Sequence, residues 1–443
     1  MTPLVLKSGH VVWTTQPSDH FQRMDDSCRA AIRHILPTLK GRPKQMSTDY
    51  LVQNVRPLGG ATVDLILRDG QIAQVAPQIT PPAGATVLDG QNQLLLPGLV
   101  NAHAHIDKNL LGRPWHKNQT PEPRRIRDYV DNERRLRRDL NLSAQTQSAF
   151  EARAAIAAGV THIRTHIDVD TDAGLAHFEG VLATRDALKD ALTMQVVAFP
   201  QSGMLIRSGT VALLEEAVKM GAECIGGLDP STVDRDPVRH LDTIFAIAER
   251  YGVELDIHLH EPGTLGAFAV ELIAERTQAL GLQGRVTISH VFCLGMIDDA
   301  YLNRLIELLL ENRINLMSLG SGNGPFPPLK RLHDAGLTLC TGTDGVRDTW
   351  GPYNSYDLLD RVKFLGYRCG FRKDEEVEFL LAIATTGGAK VMGANGYGLA
   401  VGCPADLVVV PGDTPTQAVI DLPPRTFVFK AGQLVAANGV CLV

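Results

Sequence analysis

This 443-residue chain has little of what marks secreted, membrane-spanning or nucleic-acid-binding proteins. Its seven cysteines (Cys28, Cys224, Cys293, Cys340, Cys369, Cys403 and Cys441) are scattered without a Cys-x-x-Cys pair, which argues against a disulfide framework and a thiolate zinc site. No apolar run reaches the ~20 residues needed to cross a bilayer, and the start "MTPLVLKSGHVVWTT" lacks the basic lead and long apolar stretch of a secretory signal. A formal charge of -6 gives no global attraction to nucleic acid or acidic lipid. The expectations are a cytoplasmic location and a small-molecule partner, with no nucleic acid, no membrane, and assembly into a homo-oligomer.

What the chain does have is a regular series of strand-length apolar runs between residues 94 and 390. They are "LLLPGLVNAH", "THIRTHIDV", "TMQVVAFP", "CIGGLDP", "VELDIHLH", "RVTISHVF", "INLMSLG" and "LTLCTGTD", each bounded by Gly, Pro or charged residues. Stretches such as "TVALLEEAVKMGA" and "HLDTIFAIAERYG" lie between them and carry apolar residues at helical spacing. Eight βα units predict an α/β fold, a (β/α)8 TIM-type barrel, although an open doubly wound sheet has the same alternation. Short apolar runs with "RDG", "PGD" and "KAGQ" turns flank the series on both sides and predict a small β-sandwich domain built from both flanks. The expected division is an N-terminal extension of unassigned role over 1–48, a small β domain over 49–96 plus 395–443, and the barrel over 97–394. Within the extension, "LVLKSGHVVW" reads as a strand and "DDSCRAAIRHILPTLKGRPKQ" as a short basic helix. "PEPRRIRDYVDNERRLRRDLN" is arginine-dense with interleaved acids, the pattern of a solvated helix face rather than an anion site.

Parallel barrels carry their chemistry at the C-terminal ends of the strands, so the polar residues there are the ones to weigh. His103 and His105 end the first strand, and period-two spacing puts both imidazoles on one face. His258, His260 and Glu261 end the fifth, His290 the sixth and Asp344 the eighth. A lone histidine at such a place is usually a hydrogen-bonded structural residue, and a lone Asp in "GTDG" a turn. Together, imidazoles and a carboxylate are the donor set of a zinc or iron site that keeps a position open for water. The glycine-rich "GSGNGPFPP" has Pro325 where a G-x-G-x-x-G phosphate loop needs its third glycine, so it reads as a pocket-shaping loop after the seventh strand. The His-x-Glu with Pro-Cys-x-x-Cys pattern of the thiolate-zinc nucleobase deaminases is absent.

With "PGLVNAHAHID", "HLHE", "SH" and "GTD" in this order, the chain resembles the amidohydrolase superfamily over residues 49 to 443. "HIRTHIDVD", "VVAFPQSG", "DIHLHE" and "DGVRDTW" resemble more closely its cytosine deaminase branch, which also holds triazine-ring hydrolases and other aminoheterocycle deaminases. The resemblance implies one divalent ion held by His103, His105, His258 and Asp344, with Glu261 and His290 as catalytic groups beside it. Binuclear members use a carbamylated lysine at the end of the fourth strand, where this chain has "GGLDPST" and no lysine. His260 shares a strand face with His258 and competes with it as ligand; the His-x-x-Glu match favours His258.

The mechanism expected from the resemblance is attack of metal-activated water on a ring carbon, with Glu261 protonating the adjacent ring nitrogen and His290 and Asp344 orienting and deprotonating the water. Gln201 matches a position that hydrogen-bonds the ring amide in the branch. Trp350 and the pair Trp115-His116 are expected to wall an aromatic ring. Asp229 stands where cytosine deaminases carry a histidine–aromatic pair, and Gly345 where they carry a second acid. Both departures touch substrate recognition, and Lys108 adds a positive group suited to a carbonyl-rich or anionic ring. Cytosine itself is therefore expected to be a poor substrate. Hydrolysis of a cyclic or acyclic amide is the functional alternative, and a catalytically dead binding barrel the alternative from another class.

Overall fold

The computed structural model describes residues 2–5, 11–14, 49–117, 125–322 and 324–443. β1 (Thr2–Val5) and β2 (Val11–Thr14) pair antiparallel, so the single strand expected there is two. The basic helix expected further along the extension lies outside the described residues.

β3 (Tyr50–Pro57), β4 (Val63–Arg68), β5 (Gln71–Ala76) and the first-flank strand β6 (Thr86–Pro97) join β15 (Leu407–Val410), β16 (Phe427–Lys430), β17 (Gln433–Ala437) and β18 (Val440–Cys441). They form one eight-stranded sheet of order β18-β17-β16-β15-β6-β3-β4-β5. The sheet folds over on itself: Tyr50 of β3 meets Phe429 of β16 ring to ring at 5.4 Å, although two strands separate theirs. Val52, Leu65, Leu67, Ile72, Leu95, Leu407 and Val409 fill the space between its halves, as in a sandwich. Here the sequence reading needs one correction. The run "LLLPGLVNAH" was expected to be one strand although the expected domain boundary falls inside it; Leu94–Pro97 pair with Leu407–Val410 in this sheet, and the barrel begins past Gly98 as a separate strand. An unbroken apolar run gives no sign of where a chain leaves one sheet for another.

The barrel strands are β7 (Leu99–Ala104), β8 (Val160–Asp168), β9 (Thr193–Phe199), β10 (Cys224–Leu228), β11 (Glu254–Leu259), β12 (Val286–His290), β13 (Asn315–Met317) and β14 (Leu339–Cys340). They are parallel and neighbour one another in chain order. The ring closes because Ala102 N donates to Thr341 O (3.1 Å) and Asp344 N to His103 O (2.9 Å), which excludes the open sheet. Closure demands glycine at 342, where a Cβ would stand 2.2 Å from the His103 carbonyl oxygen.

The helices cover the barrel through apolar faces. In Pro237–Tyr251, Leu241, Ile244, Phe245 and Ala248 are buried at three- and four-residue spacing, each large side chain contributing ~1.5–3 kcal/mol. Asp236 caps the start of this helix, Pro237 occupies its first turn, and Gly252 ends it in the left-handed region. Among the described residues no helix is long and apolar enough to cross a membrane.

Candidate active site

The strand ends gather five buried imidazoles. His103 comes from β7 and His105 from just past its end, His166 from β8, His258 from β11 and His290 from β12. The ring centroids of His103 lie 4.3 Å from His166, 4.6 Å from His258 and 5.0 Å from His290. His105 Nε2 faces His258 Nε2 at 3.2 Å and Asp344 Oδ1 at 3.3 Å, and His103 Nε2 lies 3.7 Å from the same oxygen. Ligand atoms of His103, His105, His166 and His258 fall within 4.8 Å of one another, as do those of His103, His290 and Asp344.

Burial and the neighbouring charges depress the pKa of His105, His258 and His290 well below the ordinary imidazole value, and that of His166 to about 4. Burial opposes charge on Asp344 too, but the surrounding imidazoles outweigh it and hold the carboxyl well below the usual range. Neutral imidazoles beside an ionised carboxylate are the protonation states a cation needs.

This donor set fits a divalent ion. His103 Nε2, His105 Nδ1, His166 Nδ1, His258 Nδ1 and both ring nitrogens of His290 are buried without a hydrogen-bond partner among the described residues, while His166 Nε2 lies 3.3 Å from Asp256 Oδ1. Orphaned buried polar atoms are rare and call for a partner. Two nitrogens ~2.0–2.1 Å from one tetrahedral zinc stand roughly 3.3 Å apart, close to the His105–His258 spacing. A second layer sets tautomers. Ser289 Oγ donates to Asp256 (2.6 Å) and so accepts from His103 Nδ1 (3.2 Å), leaving the Nε2 lone pair of His103 toward Asp344. Arg164, wholly buried under the cluster, pairs with Asp256 at 3.3 Å.

Glu261 is buried just past β11. Its Oε1 accepts from the Ser231 and Thr232 amides at 2.7 Å each, while Oε2 has no partner among the described residues. Burial and the Asp229 carboxylate push its pKa up against those two bonds. Asp229, expected beside the substrate, instead accepts from the His260 backbone N–H (2.6 Å) and lies 2.9 Å from His260 Nδ1. That interaction holds His260 away from the four-histidine group and stacked on His290 at 4.3 Å. With Phe292, Met296, Ser321 and Pro325, His260 lines a cavity of about 300 Å³, so the glycine-rich loop after β13 does shape a pocket. Asp229, His290 and Asp344 all have positive φ (38°, 71° and 59°), strain of the kind that gathers at functional strand ends.

Lys108 is tied into a buried network. Rather than offering a free charge, its buried ammonium donates to Asp168 (2.8 Å) and Gln201 Oε1 (2.7 Å) and lies 3.2 Å from Glu133. Gln201 Nε2 donates to Glu133 (2.8 Å) and Asp168 (3.2 Å), Arg137 to Asp168 (2.6 Å), and Trp350 Nε1 to Glu133 (2.7 Å). Burial disfavours the Lys108 cation, but its carboxylate neighbours outweigh that and keep it charged. The helix α1 (Ile126–Asp139) is therefore solvated on one face only; Val130, Glu133, Leu136 and Arg137 are buried on the other. Trp115 is exposed, with Arg347 over its ring. Gly345 has a steric cause: a Cβ there would stand 1.7 Å from Asp348 Oδ2, so a neighbouring acid fills the space of the missing side chain.

Reading the sequence missed His166, Asp168, Asp256, Glu133 and Arg137. Arg164, His166 and Asp168 alternate along "THIRTHID", and that period-two polar face was a usable signal. Nothing distinguished Glu133 and Arg137 from the charges around them.

A closed parallel barrel with a histidine-rich strand-end site is the architecture of metal-dependent hydrolases. The chain belongs to the amidohydrolase family, whose profile matches residues 86–436. Among its relatives, N-isopropylammelide isopropyl amidohydrolase of Pseudomonas sp. (strain ADP) is 30% identical over 360 residues, 80% of this chain and 88% of that protein. The crystal structure of N-isopropylammelide isopropylaminohydrolase from Burkholderia multivorans is 42% identical, with a TM-score of 0.86 over 89% of this chain and 100% of that one. That of 5-methylcytosine deaminase from Klebsiella pneumoniae is 25% identical, with a TM-score of 0.76 over 89% and 98%.

Proposed function

We propose that this chain is a metal-dependent hydrolase that removes an exocyclic amino or alkylamino group from a small nitrogen heterocycle. The observation that carries the reading is a buried acid, Glu261, with one unpartnered oxygen, three residues after His258 in a cluster of imidazoles that each keep an unpartnered ring nitrogen. We take His103, His105, His258 and Asp344 as the ligands of one divalent ion, zinc or iron, both of which suit imidazole and carboxylate donors. We take residues 99–394 as the catalytic barrel and 49–97 plus 395–443 as the small β domain. Every cysteine among the described residues is free, which supports the reducing cytoplasm as its location.

The ion, when bound, supplies the Lewis acidity that makes water a nucleophile near neutral pH. His290 and Asp344 orient that water and take one of its protons as its oxygen bonds to the ring carbon. Glu261 hands its proton to the adjacent ring nitrogen, compensating negative charge that would otherwise develop in a dry pocket. As the exocyclic C–N bond breaks, the proton held by Asp344 or His290 goes to the departing amine, and the second water proton restores Glu261. Gln201, Lys108 and Trp350 face the ring, the amide and ammonium reading its polar edge and the indole its face. Asp229 acts through His260.

Release of ammonia or amine, measured together with ring-opened acid over N-isopropylammelide, pterin, 5-methylcytosine and cytosine, tests the reading. Amine or ammonia release with the ring intact is expected, with cytosine poorest. Ring-opened acid as the product would instead show an amide hydrolase.

A further inference from the structure

Helix α1 lies in the connection between β7 and β8, yet it reaches groups on three separate barrel loops through one carboxylate. Glu133, 1% exposed, accepts from Gln201 Nε2 after β9 (2.8 Å) and faces Lys108 Nζ after β7 (3.2 Å) through Oε1. Its Oε2 accepts from Trp350 Nε1 after β14 (2.7 Å). One turn earlier on the same helix, Tyr129 stacks on the Trp350 indole with centroids 5.0 Å apart and planes 13° from parallel.

A glutamine amide has two faces, one donating and one accepting, and its surroundings decide which way it points. Here Gln201 Oε1 is met by the Lys108 ammonium at 2.7 Å and Nε2 by Glu133. Flipping the amide would set NH2 against ammonium and oxygen against carboxylate. Glu133 thus shares with Asp168 the fixing of the Gln201 edge and the Lys108 position, and among the described residues it alone ties both to the Trp350 loop. A helix outside the strand ends therefore controls the groups that face the ring.

We propose that Glu133 is a positioning residue for ring recognition: it sets the Gln201 amide, seats the Lys108 ammonium and latches the Trp350 indole to helix α1. This rests on the reading of those three groups as ring-facing, and the experiment separates the two.

Full-length Glu133→Gln and Glu133→Ala, loaded with zinc, are compared with wild type for zinc content, for steady-state kinetics with N-isopropylammelide, and for indole emission, Trp350→Phe giving the Trp350 contribution by difference. Zinc content is expected to hold. KM should rise about tenfold in Glu133→Gln and further in Glu133→Ala, with kcat falling less than about threefold. Trp350 emission should shift in both variants, because the indole N–H loses its carboxylate partner. Wild-type KM together with wild-type emission would overturn the proposal. So would joint loss of zinc, kcat and KM in Glu133→Gln, the pattern of a carboxylate that only holds the fold. If wild type releases no isopropylamine, the ring reading fails for that substrate. Trp350 emission in Glu133→Gln at unchanged zinc content still decides the latch: shifted upholds it, unshifted overturns it.

Discussion

Around His258, the Nε2 of His103, the Nδ1 of His166 and both ring nitrogens of His290 find no hydrogen-bond partner among the described residues, whereas around Lys108 the groups of Asp168, Glu133, Gln201 and Arg137 satisfy one another. Both regions are buried, and both are made of residues at the ends of barrel strands or on the connections between them. Leaving several polar atoms unpaired in one place costs stability that a structural core would not sustain, so the histidine region is completed by something the chain does not encode. The lysine region is complete as it stands, with two cations set against two carboxylates, and is suited to holding shape. On the proposed function, the first region binds and reacts and the second sets what is presented to the ring.

Disturbing each region in turn should show this contrast, beginning with the histidines. His258→Ala is expected to cut turnover roughly 10⁴-fold and to lose the ion, read by elemental analysis of the purified variant. Glu261→Gln should reduce turnover roughly 10³-fold while metal content stays at the wild-type level, since the acid donates a proton but holds no ion. In the lysine region the damage should appear as stability: Lys108→Met strips Asp168 and Glu133 of a buried countercharge and should cost about 3 kcal/mol in urea unfolding, with the metal retained.

How much of this was legible in the sequence depended on what each residue answers to. His103, His105, His258, His290 and Asp344 sit at strand ends, and strand-end position follows from an apolar run and its punctuation. The barrel was legible for the same reason. Which strand Leu94–Pro97 belonged to was not, because pairing between distant segments leaves no local mark. His166 was visible in the alternation of "THIRTHID", but a histidine in the middle of a strand motif carries no punctuation to single it out. Glu133 was illegible on physical grounds: an acid in a charged helix has the same local pattern whether it meets water or, as here, Gln201 and Trp350.

Two smaller effects sharpen the contrast. Ser289→Ala removes the acceptor that fixes the His103 tautomer and should weaken metal affinity about tenfold, measured by competition with a chelator. Asp168 gives a pH signature on the lysine side. Burial opposes its charge, but Lys108 and Arg137 outweigh it and lower the pKa from 3.8 to about 2. A depressed folded-state pKa contributes stability above the unfolded value and loses it as pH falls through the folded one. Urea midpoints should therefore drop between about pH 4 and about pH 2, and Asp168→Asn should flatten that limb.

Stoichiometric reconstitution tests the central claim most directly. The full-length chain is stripped with a chelator, titrated with Zn²⁺ or Fe²⁺, and followed by amine or ammonia release from the best ring of the panel. Activity that is absent in the stripped protein and rises linearly to a plateau at about one equivalent per chain is the predicted result. Activity that survives stripping, or that reaches its plateau only at two equivalents, would contradict a single ion held by the histidines and Asp344.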